Sequence, residues 1–406
     1  MLEKFGDVKK VVLAYSGGLD TSVMLTWLKE TFDCEVICYT ADVGQQEELD
    51  GLEDKAKATG ASAAVIEDLT EEFVRDFVFP AVQANAVYEG TYLMGTSLAR
   101  PLIGKRLAEV ALEYGADAIA HGATGKGNDQ IRFELASYGV NPHVRVMAPW
   151  RFWDLKGRSD LIAYAKKHGI PVTSTVEKPF SIDRNIMHVS FEGGILENPW
   201  NEPPRDTYLL TTPVLEAPDE PEEITVSFEK GLPVALDGVE LGPQALLEKL
   251  NKLGGRHGIG RVDLVENRYV GIKSRGVYET PGVTILHAAH RAIESLAMDR
   301  EVMLFRDSMI PRYASLIYRG YWFSPECTLM RKIISDTQES VNGDARLRLY
   351  KGNATLIGRK SPNSLYSYSF ATFEHDTVYD QQDAEGFIRI NALRLRLRAL
   401  KEQGLD

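Results

Sequence analysis

Disulfide chemistry is the first class to drop out, because three cysteines in 406 residues cannot build a disulfide framework and show neither a CxxC nor a zinc-ligand spacing. Cys34 and Cys38 lie in DCEVICYT, which reads as a strand, and Cys327 stands alone, so all three are expected as small buried hydrophobes. Positive charge is short as well. Lys and Arg number 46 against 58 Asp and Glu, a formal charge of −12, so the broad basic footprint of a nucleic-acid binder is missing. No apolar run approaches the ~20 residues that span a bilayer. The start MLEKFGDVKK lacks the apolar core of a signal peptide, and with the cysteine usage this makes the cytoplasm the expected location. The eight histidines are scattered. Only His287 and His290, in HAAH, come close together, without carboxylate or cysteine at ligand spacing, so they read as structural and no protein-held metal site is expected.

What is present is the composition of a folded protein, 44% hydrophobic and 26% charged, long enough at ~150 residues per domain for two or three domains. Up to about residue 170, short apolar runs alternate with helical patterns, the rhythm of βαβ units and a parallel sheet. Strands are expected at 11–15, 35–43, 63–69, 116–123 and 143–150, with helices after residue 20, over 102–115 and over 160–169. Right-handed crossovers would gather the strand C-termini on one edge, where ligands bind in such sheets. From about residue 175 Pro and Gly punctuate the text in ENPWNEPPRD and EAPDEPEE. ITVSFEKGLPVALDGVEL then reads as paired strands turning at Asp237-Gly238. A helix follows over QALLEKLNKLGG and a strand over RVDLVENRYVGI. One long helical stretch is expected through TILHAAHRAIESLAMDREVMLF, and a second strand group through ARLRLYKGNATLIGRK. Phe387, Ile390, Leu393, Leu397 and Leu400 step by three and four, which predicts a terminal helix with a narrow apolar seam.

The segment SGGLDTS follows the first strand and leads into a helix. Its glycines let backbone approach an anion, and the helix start supplies unpaired N–H groups and a positive dipole end. Ser16, Thr21 and Ser22 add hydroxyls, and Asp20 can hold Mg²⁺ or orient the loop. GxxxxGK[ST] and GxGxxG are both absent. The loop resembles instead the SGGxD[ST] pyrophosphate loop of the N-type ATP pyrophosphatases, which release pyrophosphate and adenylate a substrate. Adenine would then sit by position at the end of the second strand, around Thr40, Ala41 and Asp42. Two further segments bear on the substrate. EGTYLMGTSLARP (89–101) reads as a Gly- and hydroxyl-bearing loop before a helix. HGATGKGNDQIRFE (121–134) follows another strand end and sets Asn128, Asp129 and Arg132 within one helical turn, offering both signs of charge to a zwitterionic amino acid.

With AYSGGLDTS, YLMGTSLARP, HGATGKGNDQIRFE, SIDRNIMHVS, ENPWNEPP, VENRYVGIKSRGVYETPG and SPNSLYS in order from residue 14 to 367, the sequence resembles the argininosuccinate synthase family. Arg184 and Asn198 stand where some relatives carry acidic residues. The resemblance implies an α/β fold with an N-terminal parallel-sheet nucleotide-binding domain of the adenine nucleotide alpha-hydrolase-like type over 1–172. An α+β synthetase and multimerisation domain over 173–383 and a C-terminal oligomerisation helix over 384–406 would follow, in a homotetramer. It implies ligation of citrulline to aspartate with ATP, which acts as substrate together with Mg²⁺, giving argininosuccinate, AMP and pyrophosphate through citrullyl-AMP. Carried over by motif, Ala14, Tyr15, Ser16, Gly17, Gly18, Leu19, Asp20, Thr21, Ser22, Ala41 and Gly122 would bind ATP. Tyr92, Ser97, Asn128, Arg132, Ser181, Ser190, Glu266 and Tyr278 would hold citrulline, and Thr124, Asn128 and Asp129 would hold aspartate. Asp20, Asp129 and Arg132 would stand closest to the chemistry. The ureido oxygen is its own nucleophile, so the protein must supply alignment, charge stabilisation and exclusion of water. For the proton shed by the aspartate amine, Asp129, a phosphate oxygen and water are the candidate acceptors.

Taken without the resemblance, several of these residues have ordinary readings. Tyr92 and Tyr278 would be part-buried aromatics, Glu266 a solvated strand residue or a partner of Arg268, and Ser181 and Ser190 a cap and a strand serine. A tRNA-modifying relative should show a basic face, a glutamine-fed synthetase should show a Cys-His glutaminase, and a non-catalytic ATP sensor would not need two intact amino-acid subsites.

Overall fold

The computed structural model describes residues 5–125, 127–171, 181–372 and 380–405. Lys126 of the GKG sequence and the expected boundary at 172–173 lie outside them. Strands β1 (Lys10–Ala14), β2 (Glu35–Asp42) and β3 (Ala63–Asp68) alternate with helices α1 (Leu19–Phe32) and α2 (Leu52–Ala58). Helix α3 (Gly95–Glu113), β4 (Ala118–Ala120), α4 (Asp129–Val140), β5 (Arg145–Met147) and α5 (Arg158–Lys167) complete this half. All five strands expected there are present and pair in parallel in the order β3-β2-β1-β4-β5. Their text is nearly all apolar because both faces are covered. Val12, Ile37 and Ile119 join a core with Leu98 and Leu102 of α3. Val11, Leu13 and Val36 face Val23, Met24 and Leu28 of α1 and Leu161 of α5. The order runs outward in both directions from β1, so the C-terminal ends of β1 and β4 flank the crevice where such sheets bind ligands.

The later residues add two antiparallel sheets. β6 (Ser181–Arg184), β7 (Val189–Glu192), β11 (Arg261–Asn267) and β12 (Lys273–Glu279) form one, in the order β11-β12-β7-β6. The other is β10-β9-β8-β13-β14, built from β8 (Glu222–Glu229), β9 (Leu232–Leu236), β10 (Val239–Glu240), β13 (Gly343–Tyr350) and β14 (Asn353–Lys360). Asp237 and Gly238, at φ 53° and 76°, make the expected hairpin turn, whose left-handed backbone suits Asp-Gly. Helices α6 (Pro243–Arg256) and α7 (Pro281–Ala297) pack together, with α7 against β13 and β14. Helices α8 (Arg300–Tyr318) and α9 (Pro325–Asp336) follow. Ser364–Asp406 form a second compact unit, in which α10 (Asp383–Glu402) is the expected helix and its seam residues Phe387, Ile390, Leu393, Leu397 and Leu400 are exposed.

Two expectations are corrected. The 89–101 segment is not a loop throughout, since α3 begins at Gly95 and contains Pro101; burial of Thr96, Ser97, Leu98 and Ala99 outweighs the local cost of proline. It follows a helical run over 70–83. The long helix over 284–305 is broken between α7 and α8, because the Asp299 side chain accepts from the Glu301 and Val302 N–H groups and caps a new helix. The three cysteines are buried, and burial raises their thiols to about 11 for Cys34 and about 12 for Cys38 and Cys327. His290 is also buried, in hydrogen-bond contact with Asn85 and Gln338.

At the end of β12 the fully buried Glu279 carboxylate accepts from the N–H groups of Leu209, Leu210 and Thr211 and from the Thr211 hydroxyl, at 2.5–3.1 Å. Removing it strands the buried Thr211 N–H and hydroxyl, at a cost of about 1–3 kcal/mol each before relaxation, and frees the less buried N–H groups of Leu209 and Leu210. Glu279→Ala is therefore expected to lose roughly 3 kcal/mol or more of stability by urea denaturation; an unchanged midpoint would show that this carboxylate does not hold the 209–211 segment.

Candidate active site

The β1–α1 loop is shaped by short-range sterics. Gly17 takes φ +69°, a left-handed conformation that favours glycine, and a Cβ there would also have to displace the Leu52 Cδ1 methyl, 2.3 Å away. Gly18 is the N-cap of α1 with no side-chain cap, which leaves the first N–H groups of the helix available. Within the loop the Ser16 and Thr21 hydroxyls lie 3.2 Å apart, the Tyr15 and Ser22 hydroxyls also 3.2 Å, and Lys55 Nζ donates to the Gly17 carbonyl at 2.5 Å. Asp20 projects from the first turn of α1. Burial, opposed by Arg158, raises its pKa, and no hydrogen bond or ion pair engages its carboxylate among the described residues. Gly122 follows β4 and lies against Thr21, whose Cγ2 would be in ordinary contact with a Cβ there at 3.4 Å. Ala41 is buried at the end of β2. The two Gly-bearing loops thus meet across the crevice between β1 and β4.

Strand register explains why residues far apart in sequence gather. Ser181 pairs with Glu192, Asp183 with Ser190, Ser190 with Tyr278, and Glu266 with Ser274. Directly opposed residues share a face, as do residues two apart. Ser181, Asp183, Ser190, Glu192, Ser274, Tyr278 and Glu266 therefore lie on one face of the β11-β12-β7-β6 sheet. Gly276, between Ser274 and Tyr278 on that face, leaves the room that the Tyr278 hydroxyl occupies; a Cβ there would be 2.3 Å from it.

Tyrosines and ion pairs border this face. The Tyr92 ring lies 4.4 Å from that of Tyr278, and Tyr88 stacks on Tyr318 at 3.7 Å. Burial lifts the Tyr92 and Tyr278 hydroxyls well above their usual pKa. Arg132 donates through Nε and Nη2 to the Tyr318 carbonyl and through Nη1 to Asp129 Oδ1 at 2.8 Å. Arg100 holds the other Asp129 oxygen at 3.0 Å and reaches Asp183 at 2.8 Å. The Thr96 hydroxyl donates to Asp183 at 2.9 Å and sits 3.0 Å from His188 Nε2. Burial opposes ionisation of Asp129, but Arg100 and Arg132 together outweigh it and hold its pKa below the usual range. His188, pushed down to about 4 by burial, is neutral at physiological pH. The Asn128 side chain accepts from the Tyr269 N–H at 3.0 Å. Glu192 is hydrogen-bonded by Arg268, so Arg268 is not the partner of Glu266. Glu266 is 5% exposed with Oε2 unpartnered, and burial first, then Glu192, push it up to about 7 against the pull of Arg132.

Tyr92, Arg132, Ser190, Glu266 and Tyr278 come together, as do Asp129 and Arg132. Ser97 is fully buried with an unpartnered hydroxyl. Ser181 and Thr124 are exposed; Ser181 shares the sheet face, while Thr124 contributes its carbonyl to the Gly127 N–H at 3.2 Å. Arg100, Asp183, Glu192 and Tyr318 were not singled out by sequence reasoning, and Arg268 was named only as a candidate partner of Glu266. Period-2 alternation could have found two of them, since Asp183 and Glu192 stand two residues beyond Ser181 and Ser190.

The chain matches a family model described as "Arginosuccinate synthase N-terminal HUP domain" over residues 10–171 and one described as "Arginosuccinate synthase C-terminal domain" over residues 180–398. It is 60% identical over 394 residues to an argininosuccinate synthase of Desulfatibacillum aliphaticivorans, covering 97% of this chain and 98% of that one. It is 61% identical over 397 residues to that of Syntrophus aciditrophicus, with 97% and 99% covered. A third relative, the argininosuccinate synthase of Rhodospirillum rubrum, is 61% identical over 396 residues, with 97% and 98% covered.

Proposed function

The chain belongs to the argininosuccinate synthase family, and we infer from that membership that it joins L-citrulline to L-aspartate in an ATP-dependent carbon–nitrogen ligation. It is a ligase of arginine biosynthesis. We propose that the reaction passes through citrullyl-AMP. In the first step the ureido oxygen attacks the α-phosphorus and pyrophosphate leaves; in the second the aspartate amine attacks the activated carbon and AMP leaves. ATP would lie on residues 14–22 with Ala41 and Gly122. Citrulline would lie among Tyr92, Ser97, Asn128, Arg132, Ser181, Ser190, Glu266 and Tyr278, and aspartate near Thr124, Asn128 and Asp129.

The single observation that carries this reading is the shared sheet face, from which Glu192, Glu266 and Tyr278, on three of its strands, converge on Tyr92 and Arg132. No nucleophilic side chain is needed, because the substrate's oxygen attacks; alignment and water exclusion are what a buried, largely pre-paired site can supply. A carboxylate held ionised by two arginines is a weak base, so Asp129 suits fixing an ammonium and the aspartate proton falls to a phosphate oxygen or water.

Mg²⁺ binds through one or two carboxylates plus phosphates, and the unengaged Asp20 carboxylate at the phosphate loop fits that requirement. Asp20 would hold the ion, which when bound with ATP neutralises phosphate charge. The proposal extends to domains at 1–172, 173–383 and 384–406 and to a homotetramer in which α10 packs on a neighbouring subunit, supported by its exposed seam. It extends to a cytoplasmic location, supported by three buried free cysteines; among the described residues no helix is long and apolar enough to cross a membrane. Exchange of labelled pyrophosphate into ATP tests the activity. Exchange is expected with Mg²⁺ and citrulline but without aspartate, and its absence would sink the assignment.

A further inference from the structure

The site cluster carries more negative than positive side chains. Among its described residues, the carboxylates of Asp129, Asp183, Glu192 and Glu266 share the space with the guanidinium groups of Arg100, Arg132 and Arg268. Each arginine is already committed: Arg100 to Asp129 and Asp183, Arg132 to Asp129, and Arg268 to Glu192. Glu266 is left over, 5% exposed, with Oε2 unpartnered and only the neutral Tyr318 hydroxyl as a hydrogen-bonding neighbour. The groups facing it are Glu192 from β7, Arg132 from α4, Arg268 just past β11, Tyr278 from β12, Tyr318 from α8, and Tyr88 and Tyr92 from the segment before α3. The tyrosines stay protonated, their hydroxyl pKa values raised by burial. An ionised Glu266 would thus be a buried charge beside a like charge with no cation of its own, an expensive arrangement.

We propose that Glu266 carries a proton while the site is empty and surrenders it when the α-ammonium of citrulline docks against the Glu266 and Glu192 carboxylates, so that substrate binding releases a proton. This rests on the citrulline reading of the site. The O–H bond of the Glu266 acid breaks, its electron pair stays on the carboxylate, and the proton passes to water or buffer. The ammonium keeps its three hydrogens and replaces the proton as counter-charge, while the citrulline carboxylate turns to Arg132. Glu192 becomes a specificity residue, setting both the cation preference of the subsite and the pH at which it accepts one.

The sign follows from the protonation state that binds. The base form takes the ammonium and the acid form must first ionise. With Glu266 pushed up to about 7, citrulline affinity should be flat above that pH and fall roughly tenfold per unit below it.

Isothermal titration of L-citrulline into the full chain, saturated with Mg²⁺ and α,β-methylene-ATP, reads the proton directly when repeated in two buffers of different ionisation enthalpy. Release of close to one proton per citrulline is expected at about pH 6, falling towards zero at about pH 8.5. 5-Ureidopentanoic acid, which lacks the ammonium, should bind without release. Glu192→Gln, which removes the like charge and keeps Glu266, should move the midpoint of the affinity profile to lower pH. Heats of citrulline binding that are independent of buffer at both pH values, or release of an equal proton by the deaminated analogue, would overturn the proposal and leave the citrulline site standing. Failure of citrulline to bind in any buffer would overturn both.

Discussion

Replacing Asp20 by alanine is expected to slow citrulline-dependent pyrophosphate release by about a hundredfold or more while leaving the unfolding temperature unchanged or slightly raised. The two effects should separate if, as proposed, the Asp20 carboxylate serves the ligand and not the fold. No hydrogen bond or ion pair engages it among the described residues, and burial already disfavours its charge, with Arg158 giving partial relief. The folded state raises its pKa, so above that pKa ionised Asp20 subtracts from stability, and removing or neutralising it gives back that small cost. Asp20→Asn should behave like alanine in catalysis, because an amide does not replace a charged oxygen ligand for Mg²⁺. Single-turnover pyrophosphate release alongside thermal unfolding makes the comparison. Parallel losses of activity and stability would mean that Asp20 is part of the loop's framework instead.

Substituting lysine for Arg132 should lower kcat/KM for citrulline by roughly a hundredfold to a thousandfold, the range expected when one partner of a buried hydrogen-bonded ion pair is lost. The guanidinium makes three directed bonds, two to the Tyr318 carbonyl and one to Asp129, and lies 5.0 Å from the centre of the Tyr318 ring. A lysine ammonium is a single point charge on a flexible stem and cannot reproduce that fork. Gly320 shows how closely the guanidinium's backbone is packed, since a Cβ at that position would sit 2.8 Å from Arg132 Cα. ATP affinity, which the proposal assigns to residues 14–22 with Ala41 and Gly122, should change by no more than about twofold, because well-separated sites act independently. Equilibrium nucleotide binding and steady-state kinetics with citrulline varied would check the split; equal losses in both would place Arg132 in general folding rather than in the citrulline site.

The parallel half is legible in sequence because strands buried on both faces must be apolar throughout, and VVLA and EVICYTAD say so directly. The phosphate loop is legible because two glycines and three hydroxyls between a strand and a helix have few other uses. The start of α3 is not, since Pro101 and Gly95 are poor helix residues and only the burial of Thr96 to Ala99 decides their state. Nor does composition reveal the α7–α8 break, where one capping aspartate, Asp299, interrupts an unbroken helical periodicity. The residues proposed for citrulline, Ser181, Ser190, Glu266 and Tyr278, have no local signature at all. Their relation is register, set by antiparallel pairing across about a hundred residues of chain, and motif resemblance supplies their names without supplying Asp183, Glu192 or Arg100. Asp183 and Glu192 could be reached by period-2 alternation from Ser181 and Ser190, whereas Arg100 is visible only once the shared face and its charges are laid out.

The claim on which the rest depends is that the substrate's own ureido oxygen attacks ATP at this site. Citrulline labelled with ¹⁸O in the ureido group, turned over with ATP, Mg²⁺ and aspartate, decides it by mass spectrometry of the nucleotide. One ¹⁸O atom is expected in each AMP formed, with none in pyrophosphate. Unlabelled AMP alongside argininosuccinate would contradict a citrullyl-AMP intermediate and with it the alignment of the β1–α1 loop and the sheet face into one reacting site.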